Sequence, residues 1–194
     1  MIVAEYMNRD AVTALPTATL SAVRDVMTEH GFGLLLVADE AGALRGFVTR
    51  ATLRGVTTWD DPVEKVAHPA RFAVDPSDTL EKAVLILLEN RLSLLPVVND
   101  GRLVGVLTQS EALRGLSEGL GIGQGGTRLS IRVRNGTDDL YEVLSILHEY
   151  HATILSMTRR RVDAAFDTVI MRVQNIEDRE ALREALERRL STVS

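Results

Sequence analysis

The chain has no cysteine, and this absence removes several classes of protein. It excludes disulfide-stapled secreted domains, thiolate metal sites and cysteine nucleophiles, and it suits a reducing compartment such as the cytoplasm. Long apolar runs are also missing: the longest, Ala83 to Leu88, is far shorter than the ~20 residues that a membrane-spanning helix needs. The opening MIVAEYMNRDAV lacks the basic head and apolar core of a signal peptide. We therefore expect a soluble, cytoplasmic protein.

Positive charge and metal ligands are scarce as well. The formal net charge is -5, so no broad cationic surface is available to neutralise the phosphates of a nucleic acid. The sequence shows no third ligand or carboxylate motif that would complete a zinc site. No nucleophile, base and orienting group form a recognisable catalytic motif. The histidines considered as metal ligands were His30, His68, His148 and His151. The sequence predicts neither a metal site, a nucleic-acid partner nor an enzyme.

An internal repeat organises the first two thirds of the chain. Equivalent residues of the two copies are separated by a constant number of positions up to a turn, where the second copy is one residue shorter. The matched positions are Pro16, Thr19, Leu20, Glu29, Leu34, Leu35 and Val37 with Pro76, Thr79, Leu80, Glu89, Leu94, Leu95 and Val97. Each copy predicts a βαββα unit, and the second contains the hairpin signal Asn-Asp-Gly at 99–101. Asp78 and Glu81 have the spacing of a capping box for the second helix.

These repeats resemble the CBS-pair family. The matching segments are EHGFGLLLVADEAGALRGFVTRATL (Glu29 to Leu53) and ENRLSLLPVVNDGRLVGVLTQSEAL (Glu89 to Leu113). The resemblance implies an α+β fold in which tandem CBS repeats, residues 1–58 and 59–117, pack together as one CBS-pair module. It also implies a regulatory ligand: an adenine nucleoside or nucleotide such as AMP, ADP, ATP or S-adenosylmethionine.

In that family a segment Gly-apolar-x-Thr/Ser-x-x-Asp holds the ribose, because a carboxylate accepts hydrogen bonds from both ribose hydroxyls. The second copy, GVLTQSE, offers Glu111 at the carboxylate position, whereas the first, GFVTRAT, has Thr52 there. The resemblance predicts a first cleft formed by Val12, Phe32, Ser93, Val106, Thr108 and Glu111. A second, weaker cleft would contain Gly33, Phe47, Thr49, Thr52, Phe72 and Leu92. The alternative is that the apolar members of these sets simply fill the core.

The C-terminal third has a different pattern. Residues 118–127 predict a glycine-rich linker, since the glycines lack the strand-then-helix context of a phosphate loop. Residues 128–194 predict βαββα and resemble the ACT domain, a ferredoxin-like fold, so the whole chain is similar to acetoin-utilisation accessory proteins. ACT amino-acid sites use a glycine where this chain has Asp138, so we expect no amino-acid site and expect Asp138 or Asp139 to cap the helix. Only STVS follows the last predicted helix, so a final strand is missing from the pattern.

Two functional hypotheses follow. In the first, the chain is a homodimeric sensor: an adenosine-type ligand occupies the CBS-pair cleft, and occupancy reaches a regulated enzyme through the dimer or the ACT-like domain. In the second, it is a scaffold that dimerises and never binds a nucleotide, as the degenerate motif at Thr52 favours. Open volume beside Thr108 and Glu111 would support the sensor. A filled cleft would support the scaffold.

Overall fold

The computed structural model describes residues 1–190. Its contacts divide the chain into two compact units, Met1–Gly115 and the residues from Leu116 onward. The first unit begins with a 3-10 turn at Val3–Glu5 and has a second at Val63–Lys65. Its other elements are β1 (Thr13–Ala14), α1 (Leu20–Glu29), β2 (Leu34–Ala38), β3 (Leu44–Thr49), α2 (Arg50–Arg54), α3 (Leu80–Glu89), β4 (Leu94–Asn99), β5 (Arg102–Thr108) and α4 (Gln109–Gly119), which continues into the second unit.

The two repeats form two small sheets with the same plan. β2 pairs antiparallel with β3, and β4 pairs antiparallel with β5. β1 runs parallel to β2, and in the second copy the bridge between Val74 and Val97 takes the equivalent place. The predicted tandem βαββα units are thus confirmed.

The core follows the helical spacing of the repeat. On α1, Leu20, Val23 and Met27 are buried, and Leu80, Ala83 and Leu87 are their equivalents on α3. These residues lie on one helix face because positions three and four apart share a face. Each face packs against the buried strands of its own repeat, so each repeat has its own core.

The capping residue of α3 differs from the prediction by one position, although the helix itself begins at Leu80. The cap of α3 is Thr79, whose hydroxyl accepts a hydrogen bond from the backbone N–H of Lys82 at 3.2 Å. Thr19 caps α1 in the same way. The predicted capping box of Asp78 with Glu81 is therefore wrong. Asp78 lies one residue too early and instead binds the Lys82 ammonium.

The second unit contains β6 (Thr127–Arg134), α5 (Asp139–Glu149), β7 (Thr153–Arg161), β8 (Phe166–Gln174) and α6 (Arg179–Arg189). Its antiparallel sheet has the order β6-β8-β7. Alternate residues of β8 are buried, among them Val169, Met171 and Val173, because one face of the sheet packs under the helices. The predicted ACT-like βαββα order is confirmed. The prediction about the final STVS concerns residues 191–194, outside the described part of the chain.

The start of α5 corrects a further expectation. Asp138 occupies the cap position, but its side chain makes no capping hydrogen bond. Asp139 is buried and accepts hydrogen bonds from the Arg134 backbone N–H at 2.9 Å and from the Arg134 guanidinium at 2.8 Å. Neither aspartate is thus a helix cap. Asp139 instead ties the end of β6 to α5.

This ion pair makes the second unit sensitive to acid. Hydrogen bonds from the Arg134 side chain lower the pKa of Asp139 to about 2. Because this pKa is depressed in the folded state, the pair stabilises the fold at neutral pH, and that stability is lost as the pH falls from about 4 to about 2. Asp139→Asn should lower the free energy of unfolding at pH 7 by about 1–2 kcal/mol, allowing for the half-exposed arginine. It should also flatten the pH dependence of urea unfolding, followed by circular dichroism. Asp138→Asn removes the same charge from the neighbouring residue and should change neither the stability nor its pH dependence. An effect as large as that of Asp139→Asn would show that the ion pair of Asp139 with Arg134 is not the cause.

Candidate functional site

A cavity of about 330 Å³ lies between the two repeats of the first unit. One wall comes from β2 and β3 of the first repeat, and the other comes from the start of β4 in the second. The segment that connects the repeats closes the side. The lining residues are Leu34, Leu36, Phe47, His68, Pro69, Ala70, Arg71, Phe72, Leu92, Leu94 and Pro96. Its size and apolar walls fall in the range of small-molecule sites.

The repeat itself builds the facing walls. Leu34 and Leu36 alternate along β2 and so share one face, as Leu94 and Pro96 do on β4. Because Leu34 and Leu94 are equivalent positions, corresponding faces of the two repeats line opposite sides of the cavity. A planar apolar ligand can therefore contact both repeats at once.

Gly46 holds the connecting segment in place. Phe47 and His68 exchange two backbone hydrogen bonds, of 2.9 and 2.8 Å, which bring the connecting segment onto β3. A Cβ atom on Gly46 would lie 2.4 Å from the His68 carbonyl oxygen, and Gly46 has φ +152°, so only glycine fits. Gly105 has the equivalent role, since its Cβ would lie 2.7 Å from the carbonyl oxygen of Asn8. In the sequence, the signal for this role is that Gly46 and Gly105 occupy equivalent positions in the two copies of the repeat.

A chain of polar groups borders the cavity. The hydroxyls of Thr49 and Thr52 lie 2.9 Å apart, and the Thr52 hydroxyl lies 3.2 Å from Nε2 of His68. The His68 ring also packs against Phe47, with 5.8 Å between the ring centroids. Hydroxyls and imidazole both donate and accept hydrogen bonds, so this chain can serve ligand hydroxyl groups where the motif lacks its carboxylate.

The second predicted cleft coincides with this cavity in part. Phe47, Phe72 and Leu92 line it, and Thr49 and Thr52 border it through the hydrogen bonds above. Gly33 lies beside α2, where its carbonyl accepts from the Arg50 N–H at 3.1 Å. The cavity therefore overlaps part of the residue set predicted for the cleft with the weaker motif.

The first predicted cleft is arranged differently. Thr108 ends β5 and Glu111 lies in the first turn of α4, where Glu111 Oε2 accepts hydrogen bonds from the Thr108 N–H at 2.8 Å and from the Thr108 hydroxyl. The spacing therefore brings the two together, but the carboxylate is already bonded within its own turn. Val12 and Ser93 are exposed, and Phe32 and Val106 are half-buried. None of these six described residues lines the 330 Å³ cavity.

Metal and membrane predictions can be compared with the described residues. Within residues 1–190, no cluster of three or more histidine or carboxylate side chains is arranged to hold a metal ion. In the same part of the chain, no helix combines the length and apolarity needed to cross a membrane.

Comparisons with known proteins agree with this architecture. The CBS domain family model matches residues 3–56 and 63–118. An uncharacterised protein of Methanopyrus kandleri is 28% identical over 119 residues, which are 58% of this chain and 61% of that protein. This chain therefore matches about three fifths of that relative's length.

Solved structures show the same fold. CBSX2 of Arabidopsis thaliana in complex with AMP is 26% identical with a TM-score of 0.55, over 59% of this chain and 95% of that one. A CBS domain pair/ACT domain protein of Thermotoga maritima is 27% identical with a TM-score of 0.57, over 62% and 99%. A putative acetoin utilization protein of Vibrio cholerae is 24% identical with a TM-score of 0.56, over 60% and 90%, a likeness of fold. Residues after 118 lie outside the family match. The ACT-like description of the second unit therefore rests on its fold.

Proposed function

Because the chain belongs to the CBS domain family, we propose that it is a regulatory module that binds an adenine nucleotide between its two repeats. The observation that carries this proposal is the open cavity with walls from both repeats. A ligand held by both walls stabilises one arrangement of the repeats, and this differential binding is the basis of a regulatory response. The AMP complex of CBSX2 supports the choice of ligand class.

Each part of a nucleotide has a candidate partner. The adenine ring would pack against Phe47 and Phe72, while the ribose hydroxyls would bind Thr52 and His68. Arg71 also lines the cavity, and its side chain makes no hydrogen bond or ion pair with residues 1–190. An unpaired guanidinium favours a phosphate-bearing ligand over an uncharged nucleoside. We therefore expect AMP, ADP or ATP to bind more tightly than S-adenosylmethionine.

A thermal-melting panel tests the proposal. A ligand present at ~100 times its dissociation constant adds about 2.7 kcal/mol to the folded state, which raises the melting temperature. AMP, ADP, ATP, S-adenosylmethionine and adenosine would be compared on the unmutated chain and on Arg71→Gln. We expect the variant to lose more affinity for AMP than for adenosine. If no adenine compound stabilises the unmutated chain at millimolar concentration, the ligand-free scaffold replaces the sensor.

The second repeat also carries the surface that we assign to homodimer formation. Leu85 and Leu88 on α3 are 56% and 65% exposed, and Leu113 on α4 is 66% exposed. The first repeat has Asp25 and Thr28 at the positions equivalent to the first two. At these two helix positions, exposed leucines therefore occur only in the second repeat, where pairing with a second copy would bury them. Through this dimer or the ACT-like domain, ligand occupancy would reach a regulated enzyme.

Leu88→Glu should break the dimer. We expect light scattering at micromolar concentration to give twice the 21.3 kDa chain mass for the unmutated protein and the mass of a single chain for the variant, because a charge buried without a partner in an interface is costly. Thr28→Glu places the same charge at the equivalent position of the first repeat and should remain dimeric. A dimer that survives Leu88→Glu but not Thr28→Glu would place the interface on the first repeat.

A further inference from the structure

The outer edge of β6 presents unpaired backbone groups. In the sheet order β6-β8-β7, no strand among residues 1–190 lies beside the other edge of β6. The Asn135 N–H bonds toward β8, to the carbonyl of Ala165, whereas the Arg134 N–H bonds away from it, to Asp139. Because successive N–H groups of a strand alternate in direction, the N–H and C=O groups of residues 128, 130 and 132 point to the open edge.

A groove of about 320 Å³ follows this edge and continues under α6. Consecutive residues of β6 line it, so the groove runs along the edge of the sheet rather than over one face. Leu129 and Ile176 contribute partly exposed apolar side chains, and the buried side chains of Ile131, Leu182 and Leu186 line the groove as well. An added strand would place alternate side chains against this apolar surface while its backbone bonds to β6.

The charges beside the groove select the occupant. β6 carries Arg128, Arg132 and Arg134 and no acidic residue. Arg134 is paired with Asp139 and Arg132 reaches Asp163 at 3.5 Å, but Arg128 makes no hydrogen bond or ion pair with residues 1–190. The same holds for Arg179 on the α6 side of the groove, whereas Glu180, an acidic residue that lines the groove, is paired with Arg183 at 2.6 Å. A second copy of β6 would bring arginine opposite arginine, which destabilises a strand pair.

We infer that the β6 edge binds an extended, acidic segment of another protein, which adds a strand beside β6. Apolar residues of this segment lie on Leu129 and Ile176, and alternate carboxylates face Arg128 and Arg132. The inference is independent of the ligand proposed for the CBS pair, because it concerns residues of the second unit only.

The test uses the full chain and a fluorescein-labelled peptide, as long as β6, that alternates glutamate with valine. Fluorescence anisotropy should show saturable binding. Binding should be at least tenfold weaker for the same peptide with lysine in place of glutamate, and for one N-methylated at alternate residues. Ser130→Pro removes an edge-facing N–H, a change that edge strands tolerate, and should also weaken binding at least tenfold. Ser130→Ala should have no effect.

Charge variants separate the groove from the rest of the domain. Arg128→Glu should weaken binding about tenfold, whereas Arg160→Glu, the same charge change on β7 at the other edge of the sheet, should not. Equal binding of the lysine peptide, or full binding by Ser130→Pro, would overturn the inference. So would a loss of dimer mass in Ser130→Pro, which would assign the edge to a second copy. Binding seen only after the chain is cut behind Leu190 would assign the groove to the chain's own last residues.

Discussion

Gly46→Ala should lower the free energy of unfolding of the first unit by about 3 kcal/mol and abolish nucleotide binding. A non-glycine residue at a positive φ costs about 1–3 kcal/mol. The added Cβ would also lie 2.4 Å from the His68 carbonyl oxygen, so backbone must move, which costs a further ~1–3 kcal/mol. That movement displaces the segment that closes the cavity. Binding is therefore lost together with stability.

Trp59 makes this effect measurable in the first unit alone. It is the only tryptophan of the chain, and it packs against the core of the first repeat with the Arg24 guanidinium 4.7 Å from its ring centroid. Urea unfolding followed by its fluorescence would report the change. Gly31→Ala is the matched control: Gly31 has φ +69°, but a Cβ there meets nothing within 4 Å, so only backbone strain of about 1–2 kcal/mol should appear. Equal losses in the two variants would show that the contact with His68 does not matter.

Phe72→Ala should lower the affinity for AMP about tenfold without destabilising the ligand-free protein. The Phe72 side chain lines the cavity but is 38% exposed, so its removal opens little of the folded core. Stacking on an aromatic ring contributes about 0.5–1.5 kcal/mol beyond the area that it buries, and 1.4 kcal/mol is a factor of ten in affinity. Calorimetric titration of AMP into the two proteins would measure the change.

Glu111 provides the opposing comparison, because its predicted role as the ribose carboxylate of the first cleft stays a prediction. If that cleft holds the ligand, Glu111→Ala should lower the affinity for AMP 10- to 100-fold, since hydrogen bonds to a charged group contribute ~1.5–3 kcal/mol each. The variant also loses the bonds to Thr108 at the start of α4, at a cost of about 1 kcal/mol of stability. Glu111 therefore has a structural role at the start of α4 in addition to its predicted role in binding the ribose. Normal binding by Phe72→Ala together with loss in Glu111→Ala would place the ligand in the first cleft.

Local pattern accounts for the features that could be predicted. The equivalent residues Leu20 and Leu80 are buried in their own repeats, as the repeated helical spacing indicated. The capping residue of α3 was predicted one position too early, at Asp78 instead of Thr79, because the backbone angles before a helix decide which neighbouring polar residue reaches the free N–H groups. The local pattern predicted that Asp139 caps α5, but its carboxylate instead binds Arg134 of β6.

The sequence by itself determined the two repeats, their α+β fold and the order of the C-terminal elements, since periodicity and turn residues encode these locally. The family was indicated by the resemblance of the two repeat segments to CBS domains. Only the tertiary structure showed that the 330 Å³ cavity lies beside residues of the second predicted cleft, and that one edge of β6 has no neighbouring strand among residues 1–190. The cavity depends on the contact between Gly46 and His68, and the groove on how α6 lies along β6. Glu111 keeps a carboxylate at the acidic position of the motif and Thr52 does not, but the hydrogen-bond partners of both were set by packing. Some of these contacts join residues that are far apart in the chain, and in others several residues compete for one partner. The local spacing of residues therefore does not predict which contacts form.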